Sequence, residues 1–466
     1  MCGIAGVFNN PYASQFAFLQ IYSLQHRGQE SVGISSSNGY QIRTVKKAGR
    51  VLESIKQEDL DYLQGNIAIA HVRYSTAGDS GVRNAQPLVR EISLGNVAVV
   101  HNGNIVNYIT LRKELEDKGF SFEYSSDTEL FLALLDKGED LLPSYLDIHE
   151  RDREFLPKLF YTLRKLEGAY SFLILWKDKL IAGRDPFGFR PLCMGRKGKT
   201  ILFASESCAF DILEAEFWRE INPGEVVVVD STGIRSYFPF DRKSKEALCI
   251  FEFVYFSRPD SFIFDSWTYE IRKEFGRQLA REDDIFADIV IPVPDSGVVP
   301  ALGYAEEKGI PFEMGLIRNH YVGRSFIEPT QELRNLRVLM KLSPNRAVLQ
   351  NRRIVVIDDS LVRGTTSRRI VNMLRRAGAR EIHMRIASPP VIGPCFYGID
   401  TPTREELIAN RMSLKDIEKF IGVNSLRYLS LKGLRSCVPK KKNFCDACFS
   451  NEYPTAVDNI LISRRR

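Results

Sequence analysis

The sequence predicts an α/β protein whose second half is built on a doubly wound parallel sheet. Residues 354–357 form a short apolar run rich in β-branched side chains, which suits a strand buried on both faces of a parallel sheet. A loop with glycine and hydroxyl residues follows, and apolar positions between residues 370 and 377 are then spaced as one stripe of a helix. Residues 289–291 likewise lead through a loop into a helix. Strands and helices that alternate in this way predict a parallel sheet with helices on its faces.

Length and composition limit the classes of function that this chain can have. A chain of 466 residues has room for two or three domains, each with its own core. The net charge of +6 is too small to indicate nucleic-acid binding, and no apolar run approaches the length of a membrane span. A secretory pattern is also missing, so we expect a cytoplasmic location. In that reducing compartment the 8 cysteines favour catalytic or metal-binding roles over disulfides.

The chain begins with a candidate nucleophile, Cys2. Removal of Met1 would leave Cys2 with a free α-amine beside its thiol. This pair is a nucleophile with its own base, because the amine titrates near neutrality. A half-buried strand that carries a cysteine would give the same short pattern, so residues further along the chain must decide between the two.

Five motifs come after Cys2 in the first half. They are residues 25–31, 65–76, 84–87, 101–104 and 126–129, with the sequences QHRGQES, GNIAIAHVRYST, NAQP, HNGN and SDTE. Together with Cys2 they resemble the glutaminase domain of class II amidotransferases, which use an N-terminal nucleophile. The resemblance implies a four-layer αββα sandwich.

The resemblance also implies roles for single residues in glutamine hydrolysis. Glutamine is a zwitterion, so its α-carboxylate suits the guanidinium of Arg73 and its α-amine suits the carboxylate of Asp127. The oxyanion that forms when Cys2 attacks would be stabilised by the Asn102 side chain and the Gly103 backbone N–H. Asn-Gly is also the commonest hairpin turn, and a hairpin at this point is compatible with that role.

The loop after residues 354–357 carries Asp358 and Asp359, followed by Gly364 and three hydroxyl residues. A strand, a glycine-containing loop and a helix start present free N–H groups and a positive dipole end to a phosphate. Two carboxylates at the edge of a sheet can take sugar hydroxyls or Mg²⁺. An ordinary βα turn with solvated or helix-capping aspartates accounts for the same residues about equally well.

The longer string of residues 355–367, VVIDDSLVRGTTS, resembles the phosphoribosyl pyrophosphate (PRPP) signature of type I phosphoribosyltransferases. The resemblance implies that ribose 5-phosphate binds at residues 363–367, with the two aspartates at the ribose diol and its metal. In that family a second loop, here residues 295–297, holds the pyrophosphate and closes the metal site. The implied PRPP-binding residues are Arg363, Gly364, Thr365, Thr366, Ser367, Asp358 and Asp359, and the implied Mg²⁺ residues are Ser296, Asp358 and Asp359.

Residues 321–341 lie between these two loops. Glycine and proline stand near the borders of this segment, and its basic residues include Arg324, Arg334, Arg337 and Lys341. This composition fits a mobile lid as well as a plain exposed connection. The family resemblance implies a lid that becomes ordered over PRPP.

Four of the remaining cysteines form a pattern. Cys445 and Cys448 make a C-x-x-C pair, and Cys249 and Cys395 stand alone. By spacing, the pair is half of a zinc site, a redox pair or part of a cluster ligand set. The four positions resemble those of an iron–sulfur-bearing branch of amidotransferases, which implies a [4Fe–4S] cluster on all four thiolates.

Taken together, the two halves resemble the amidophosphoribosyltransferase family. The resemblance implies an enzyme that hydrolyses glutamine at Cys2 and passes the ammonia inside the protein to C1 of PRPP. The products would be 5-phosphoribosylamine, glutamate and pyrophosphate, in the first committed step of de novo purine synthesis. It also implies Mg²⁺ as a cofactor, purine nucleotides as feedback inhibitors, and a homotetramer.

The same resemblance divides the chain into two domains. A glutaminase domain would cover residues 2–240, and a phosphoribosyltransferase domain with a C-terminal helical, cysteine-bearing segment would cover residues 247–466. The charged run of residues 241–246 would link them.

Two other classes of protein share parts of this pattern. Class II amidotransferases of the sugar-isomerising or asparagine-forming kind share the first half but lack a PRPP signature. A non-enzymatic PRPP sensor would share the second half but has no use for Cys2, Arg73 and Asp127 together. The sequence also shows no pair of DNA-reading helices. Residues 354–367 disfavour the first alternative, and the glutaminase motifs disfavour the second.

Overall fold

The computed structural model describes residues 2–74, 82–240, 245–319 and 341–457. Its first half contains two antiparallel sheets. The strands of the first sheet, in spatial order, are Glu216–Glu220, Cys193–Lys197, Thr200–Ala204, Gly3–Phe8, Ile67–Arg73, Ser31–Ser37 and Ile42–Ala48. The strands of the second sheet are Gly233–Tyr237, Val226–Asp230, Lys179–Arg184, Gly168–Trp176, Gly95–Ile105 and Leu88–Ile92.

The two sheets stack face to face between helices, which gives four layers. Ile4 and Ile69 of the first sheet belong to one buried apolar cluster with Val100 and Leu173 of the second. The helices of this half are Ala13–Ser23, Val51–Ser54, Gln57–Tyr62, Tyr108–Asp117, Glu129–Lys137, Leu156–Lys165 and Cys208–Asp211. Their apolar faces form separate clusters with the outer face of each sheet. The αββα sandwich expected for this half is confirmed.

The second half contains a parallel sheet. Its strands, in spatial order, are Ile289–Pro292, Arg353–Asp358, Glu381–Ile386 and Ser425–Tyr428. The helices of this half are Thr268–Arg281, Val298–Lys308, Arg346–Leu349, Thr365–Arg376, Ile408–Arg411, Leu414–Ile421, Leu431–Cys437 and Ala447–Ser450. The predicted helical stripe faces the core, since Ile370 and Leu374 are completely buried. The predicted parallel sheet with flanking helices is also confirmed.

Short elements complete the described chain. A π-helix spans Glu252–Phe256, and 3-10 turns span Gln25–Arg27, Val82–Asn84, Glu150–Asp152 and Arg404–Glu406. Two short antiparallel pairs join Phe262–Ile263 to Ser266–Trp267 and Leu316–Arg318 to Leu342–Pro344.

The two halves share a core. Leu248–Cys249 pairs in parallel with Phe444–Cys445 within the second half. The backbone N–H of Cys249 also donates to the carbonyl of Phe189 in the first half at 3.1 Å. One buried apolar cluster contains Leu24 and Phe189 of the first half together with Phe253 of the second. Packing of this kind makes the position of one half depend on the other.

The hairpin turn that the Asn-Gly pair left open at Asn102 and Gly103 is not formed by these two residues. The strand Gly95–Ile105 runs through both residues and pairs along its whole length with Gly168–Trp176. The turn lies before this strand. Glycine is needed at position 103 because of a close approach: a Cβ there would lie 2.0 Å from the carbonyl oxygen of Ala169.

Two expected features lie outside the described residues. They are the lid, apart from Lys341, and most of the charged linker. In the part of the chain that is described, no helix combines the length and apolar character needed to cross a bilayer.

Candidate active sites

Cys2 lies directly before the strand Gly3–Phe8, in the interior of the first sheet. It is buried, and its thiol donates a hydrogen bond to the backbone carbonyl of Tyr74 at 3.6 Å. Its backbone N–H donates to Oδ1 of Asn102 at 3.3 Å, and its carbonyl accepts from Nε of Arg27 at 3.0 Å. These contacts fix the backbone N–H, the carbonyl and the thiol of Cys2.

Asn102 offers a donor beside Cys2. The residue is completely buried, and its Oδ1 is used by the Cys2 backbone N–H. Its Nδ2 has no hydrogen-bond partner among the described residues. A buried donor without a partner is costly and needs an explanation. An amide N–H held ready beside a nucleophile is the arrangement that stabilises a developing oxyanion.

Arg73 and Asp127 reach the same region from different elements. Arg73 ends the strand Ile67–Arg73, directly before the carbonyl that accepts the Cys2 thiol, and is buried. Asp127 is also buried, and its Oδ2 accepts from the backbone N–H of Ile105 at 2.9 Å. That contact places Asp127 beside the end of the strand that carries Asn102. The structure therefore brings the predicted glutaminase residues together.

A buried group of charged side chains lies behind Cys2. Arg27, which holds the Cys2 carbonyl, pairs with Glu206 at 2.5 Å and with Glu252 at 2.9 Å. Glu252 pairs in turn with Arg190 at 3.2 Å, and all four side chains have 0% exposure. Burial alone would lower the pKa of Arg27, but the carboxylates of Glu252 and Glu206 outweigh it and raise that pKa. Sequence reasoning gave none of the four a role, because no local pattern links segments so far apart.

The acidic pair of the second half lies at the carboxyl edge of the parallel sheet. Asp358 ends the strand Arg353–Asp358, and Asp359 follows it. Burial raises the pKa of both carboxyls, and the charge of Asp359 raises that of Asp358 further. A hydrogen bond from the Ser296 hydroxyl opposes the rise in the pKa of Asp359, so Ser296 lies beside it. The three residues predicted for Mg²⁺ therefore lie together.

The loop after this pair leads into a helix N-terminus. Gly364 has a φ of +74°, a left-handed conformation that favours glycine, and the helix Thr365–Arg376 begins immediately after it. The first backbone N–H groups of a helix have no partner within the helix and can bind an anion. The guanidinium of Arg363 points elsewhere, since it pairs with Glu406 at 2.9 Å in an exposed ion pair.

A cavity of about 630 Å³ opens beside this helix N-terminus. Thr366 and Ser296 line it, together with the basic residues Arg258, Arg272, Arg318 and Lys341. Burial lowers the pKa of Arg272 to about 10, although the Asp359 carboxylate opposes the shift. A basic lining of this kind suits a substrate that carries several phosphate groups. The three arginines lie in segments without a phosphate motif, so no sequence pattern indicated them.

The four cysteines of the predicted cluster lie close together. Cys249 and Cys445 are direct partners in the short parallel strand pair. The backbone carbonyl of Cys448 accepts a hydrogen bond from the backbone N–H of Gly393 at 3.0 Å. This contact holds the loop that carries Cys395 beside Cys448. Burial raises the pKa of the Cys448 thiol, and the other three thiols raise it further. Within the described ranges, however, no group of three or more His, Cys, Asp or Glu residues could hold a single metal ion.

Comparison with known proteins identifies the family. A model of the glutamine amidotransferase domain matches residues 71–211. Amidophosphoribosyltransferase 1, chloroplastic, of Arabidopsis thaliana is 48% identical over 466 residues, covering 99% of this chain and 80% of that protein. The amidophosphoribosyltransferase of Bacillus subtilis is 43% identical over 99% of this chain and 96% of its own length. The chain belongs to the amidophosphoribosyltransferase family.

A solved structure agrees with this assignment over the whole fold. Glutamine PRPP amidotransferase from B. subtilis, complexed with ADP and GMP, is 42% identical and superposes with a TM-score of 0.89. The match covers 98% of this chain and 98% of that one. As an amidophosphoribosyltransferase, the protein is an enzyme that combines a class II glutamine amidotransferase fold with a phosphoribosyltransferase fold.

The buried charges behind Cys2 give a stability prediction. We expect Glu252→Gln to lower the free energy of unfolding by about 3–5 kcal/mol, because it leaves Arg27 and Arg190 buried with too little opposing charge. Denaturant titration followed by fluorescence measures the loss. Glu307→Gln is the control, since it breaks a partly exposed pair with Arg281 and should cost about 0–1 kcal/mol. Equal effects in the two variants would contradict the prediction.

Proposed function

We propose that this enzyme hydrolyses glutamine at Cys2 and transfers the ammonia to C1 of PRPP, the first step of purine biosynthesis. The observation that carries the proposal is the unpartnered amide N–H of Asn102, held in a buried site directly beside Cys2. The basic cavity with its helix N-terminus and acidic pair supplies the second site. Family membership supports the pairing of the two activities in one chain.

In the glutaminase site, the Cys2 thiol attacks the amide carbon of glutamine. We propose that the Cys2 α-amine, freed by removal of Met1, takes the thiol proton and returns it to the leaving ammonia. Negative charge then develops on the carbonyl oxygen, where Asn102 Nδ2 and the Gly103 N–H stabilise it. Water hydrolyses the thioester to glutamate.

Arg73 and Asp127 position the substrate for this attack. The guanidinium of Arg73 suits the α-carboxylate of glutamine, and the carboxylate of Asp127 suits its α-amine. Both side chains are buried, so their neighbours limit their movement. They can therefore orient the substrate with little rearrangement.

In the second site, ammonia displaces pyrophosphate from C1 of PRPP. We propose that the loop of residues 363–367 binds the 5-phosphate through its backbone N–H groups and the hydroxyls of Thr365, Thr366 and Ser367. We propose that pyrophosphate binds in the same cavity, among its basic residues.

Oxygen donors for Mg²⁺ are present in the same place. Ser296, Asp358 and Asp359 lie together at the sheet edge, and carboxylate and hydroxyl oxygens are the ligands that Mg²⁺ accepts. When bound, Mg²⁺ would offset the charge of the departing pyrophosphate.

We propose that the four cysteines hold a [4Fe–4S] cluster, as in an iron–sulfur branch of the family. The four thiols are within electrostatic range of one another, yet in the described chain no group of three or more residues could hold a single ion. Four thiolates are the ligand set of a [4Fe–4S] cluster, and the grouping of these four thiols from three segments of the chain supports the proposal.

Regulation, assembly and location are further proposals. The B. subtilis structure contains ADP and GMP, and another similar structure is described as the allosteric regulatory enzyme of purine biosynthesis. We propose purine nucleotides as feedback inhibitors of this enzyme, a homotetramer, and domains at residues 2–240 and 247–466. A cytoplasmic location is proposed as well, although the plant relatives are named as chloroplastic.

The first test removes the nucleophile. We expect Cys2→Ala to abolish glutamine-dependent synthesis of phosphoribosylamine and to leave synthesis from added ammonium intact, because the second site is unchanged. Rates with the two nitrogen donors are compared in one coupled assay, with Cys437→Ala as the control for loss of an unrelated thiol. Equal loss with both donors would contradict a separable glutaminase site.

The second test addresses the acidic pair. We expect Asp359→Asn to slow synthesis from either nitrogen donor by a barrier increase of about 2–4 kcal/mol, because both donors use the PRPP site. The basal rate of glutamine hydrolysis measured without PRPP should be preserved. Normal ammonium-dependent synthesis in this variant would contradict the assignment.

The third test separates a cluster from zinc. We expect anaerobically purified protein to be brown with about four irons per chain and to bleach in air, since Zn²⁺ is colourless. Cys445→Ser should remove the iron, whereas Cys193→Ser should retain it. A colourless, iron-free and fully active preparation would contradict the cluster.

A further inference from the structure

The strand that carries the oxyanion donors ends against a segment of the second half. Asn104, two residues after Asn102, points to the same side of the strand. Its Nδ2 donates to the backbone carbonyl of Phe396 at 2.8 Å. Asn104 and Phe396 are each 5% exposed, so this hydrogen bond between the halves is shielded from water.

A second contact joins the two backbones directly. Gly398 has a φ of +98°, and a Cβ built on it would lie 2.8 Å from both the carbonyl carbon and oxygen of Gly103. The Cα of Gly103 would lie 3.0 Å away. A side chain at position 398 would therefore have to move the backbone of Gly103, whose N–H is the second oxyanion donor in the proposed function. Glycine at position 398 allows the two backbone segments to touch without either one moving.

The segment on the other side of these contacts is itself held firmly. The carbonyl of Tyr397 accepts from Nε and Nη2 of Arg190, at 2.9 and 2.5 Å. The Tyr397 ring stacks on Phe189 with ring centroids 4.2 Å apart. Since Arg190 is also paired with Glu252, residues 396–398 form a fixed surface against which the oxyanion strand rests.

We propose that Asn104 and Gly398 are positioning residues of the glutaminase. Together they set the position of the Gly103 N–H and the Asn102 amide relative to the Cys2 thiol. The inference rests on the proposed function, since it concerns the oxyanion donors assigned there. A shift of these donors weakens the interactions made in the transition state and leaves the binding of glutamine by Arg73 and Asp127 intact.

Gly398→Ala and Asn104→Ala test the proposal. We expect both to lower kcat for glutamine hydrolysis, by about 10–100-fold for Gly398→Ala, and to leave KM for glutamine within about threefold. Synthesis from added ammonium should stay normal, which shows that the variant is folded. Alkylation of Cys2 by iodoacetamide, followed by mass spectrometry of its peptide, should keep its rate because the thiol is not displaced.

Two control variants separate an effect on the position of the oxyanion donors from the effects of backbone strain and of a lost hydrogen bond. Gly309→Ala adds a Cβ at a φ of +64° where no atom lies within 4 Å, so it carries strain without a clash. Asn107, three residues from Asn104, donates a side-chain hydrogen bond to the Lys165 carbonyl at 2.9 Å and accepts one from the Glu167 backbone N–H at 3.1 Å. Asn107→Ala removes both hydrogen bonds. Both controls should keep normal kcat for glutamine hydrolysis.

The outcomes distinguish this inference from the function on which it rests. A kcat for Gly398→Ala equal to that of Gly309→Ala, or a rise in KM with kcat unchanged, overturns the positioning role. If Gly398→Ala does not fold, Asn104→Ala decides by the same split between kcat and KM. Failure of the unmodified enzyme to hydrolyse glutamine would instead overturn the proposed function.

Discussion

The structure depends on one buried carboxylate, that of Glu252. It holds Arg27, which fixes the carbonyl of Cys2, and Arg190, which fixes the carbonyl of Tyr397. Charges removed from water are stable only when every partner is in place. Glu252 comes from the second half and both arginines come from the first, so this group of buried charges spans the two halves. The interaction therefore couples the surroundings of Cys2 to the packing of the two halves.

The two reaction sites are built by the same structural means. Cys2 stands directly before a strand, and the acidic pair stands at the end of one, so each candidate site takes its key side chains from the end of a sheet strand. Rigid supports of this kind hold catalytic groups more precisely than long loops do. The buried ion pairs of Glu252 then fix the surroundings of Cys2 relative to the neighbouring segment that lines the basic cavity.

The parts of this structure that depend on local pattern were predictable from the sequence. The strand and helix around Asp358 follow from apolar spacing, and the loop between them follows from its glycine and hydroxyl residues. The residues assigned to the glutaminase come from motifs, and their roles stay predictions. The hairpin at Asn102 is not formed because a local turn preference lost to strand pairing with distant residues. Glu206 and Glu252 were missed for a related reason: a single sequence contains no information on which distant charges meet in the core.

The pairing of Leu248–Cys249 with Phe444–Cys445 has a consequence for the order of biosynthesis. Domains generally fold as units from the N-terminus while the chain emerges from the ribosome. Both sheets around Cys2 consist of residues made before Cys249, whereas the strand partner of Cys249 is made much later in the chain. A nascent chain can therefore form the two sheets around Cys2 well before the supporting segments of the second half close upon them.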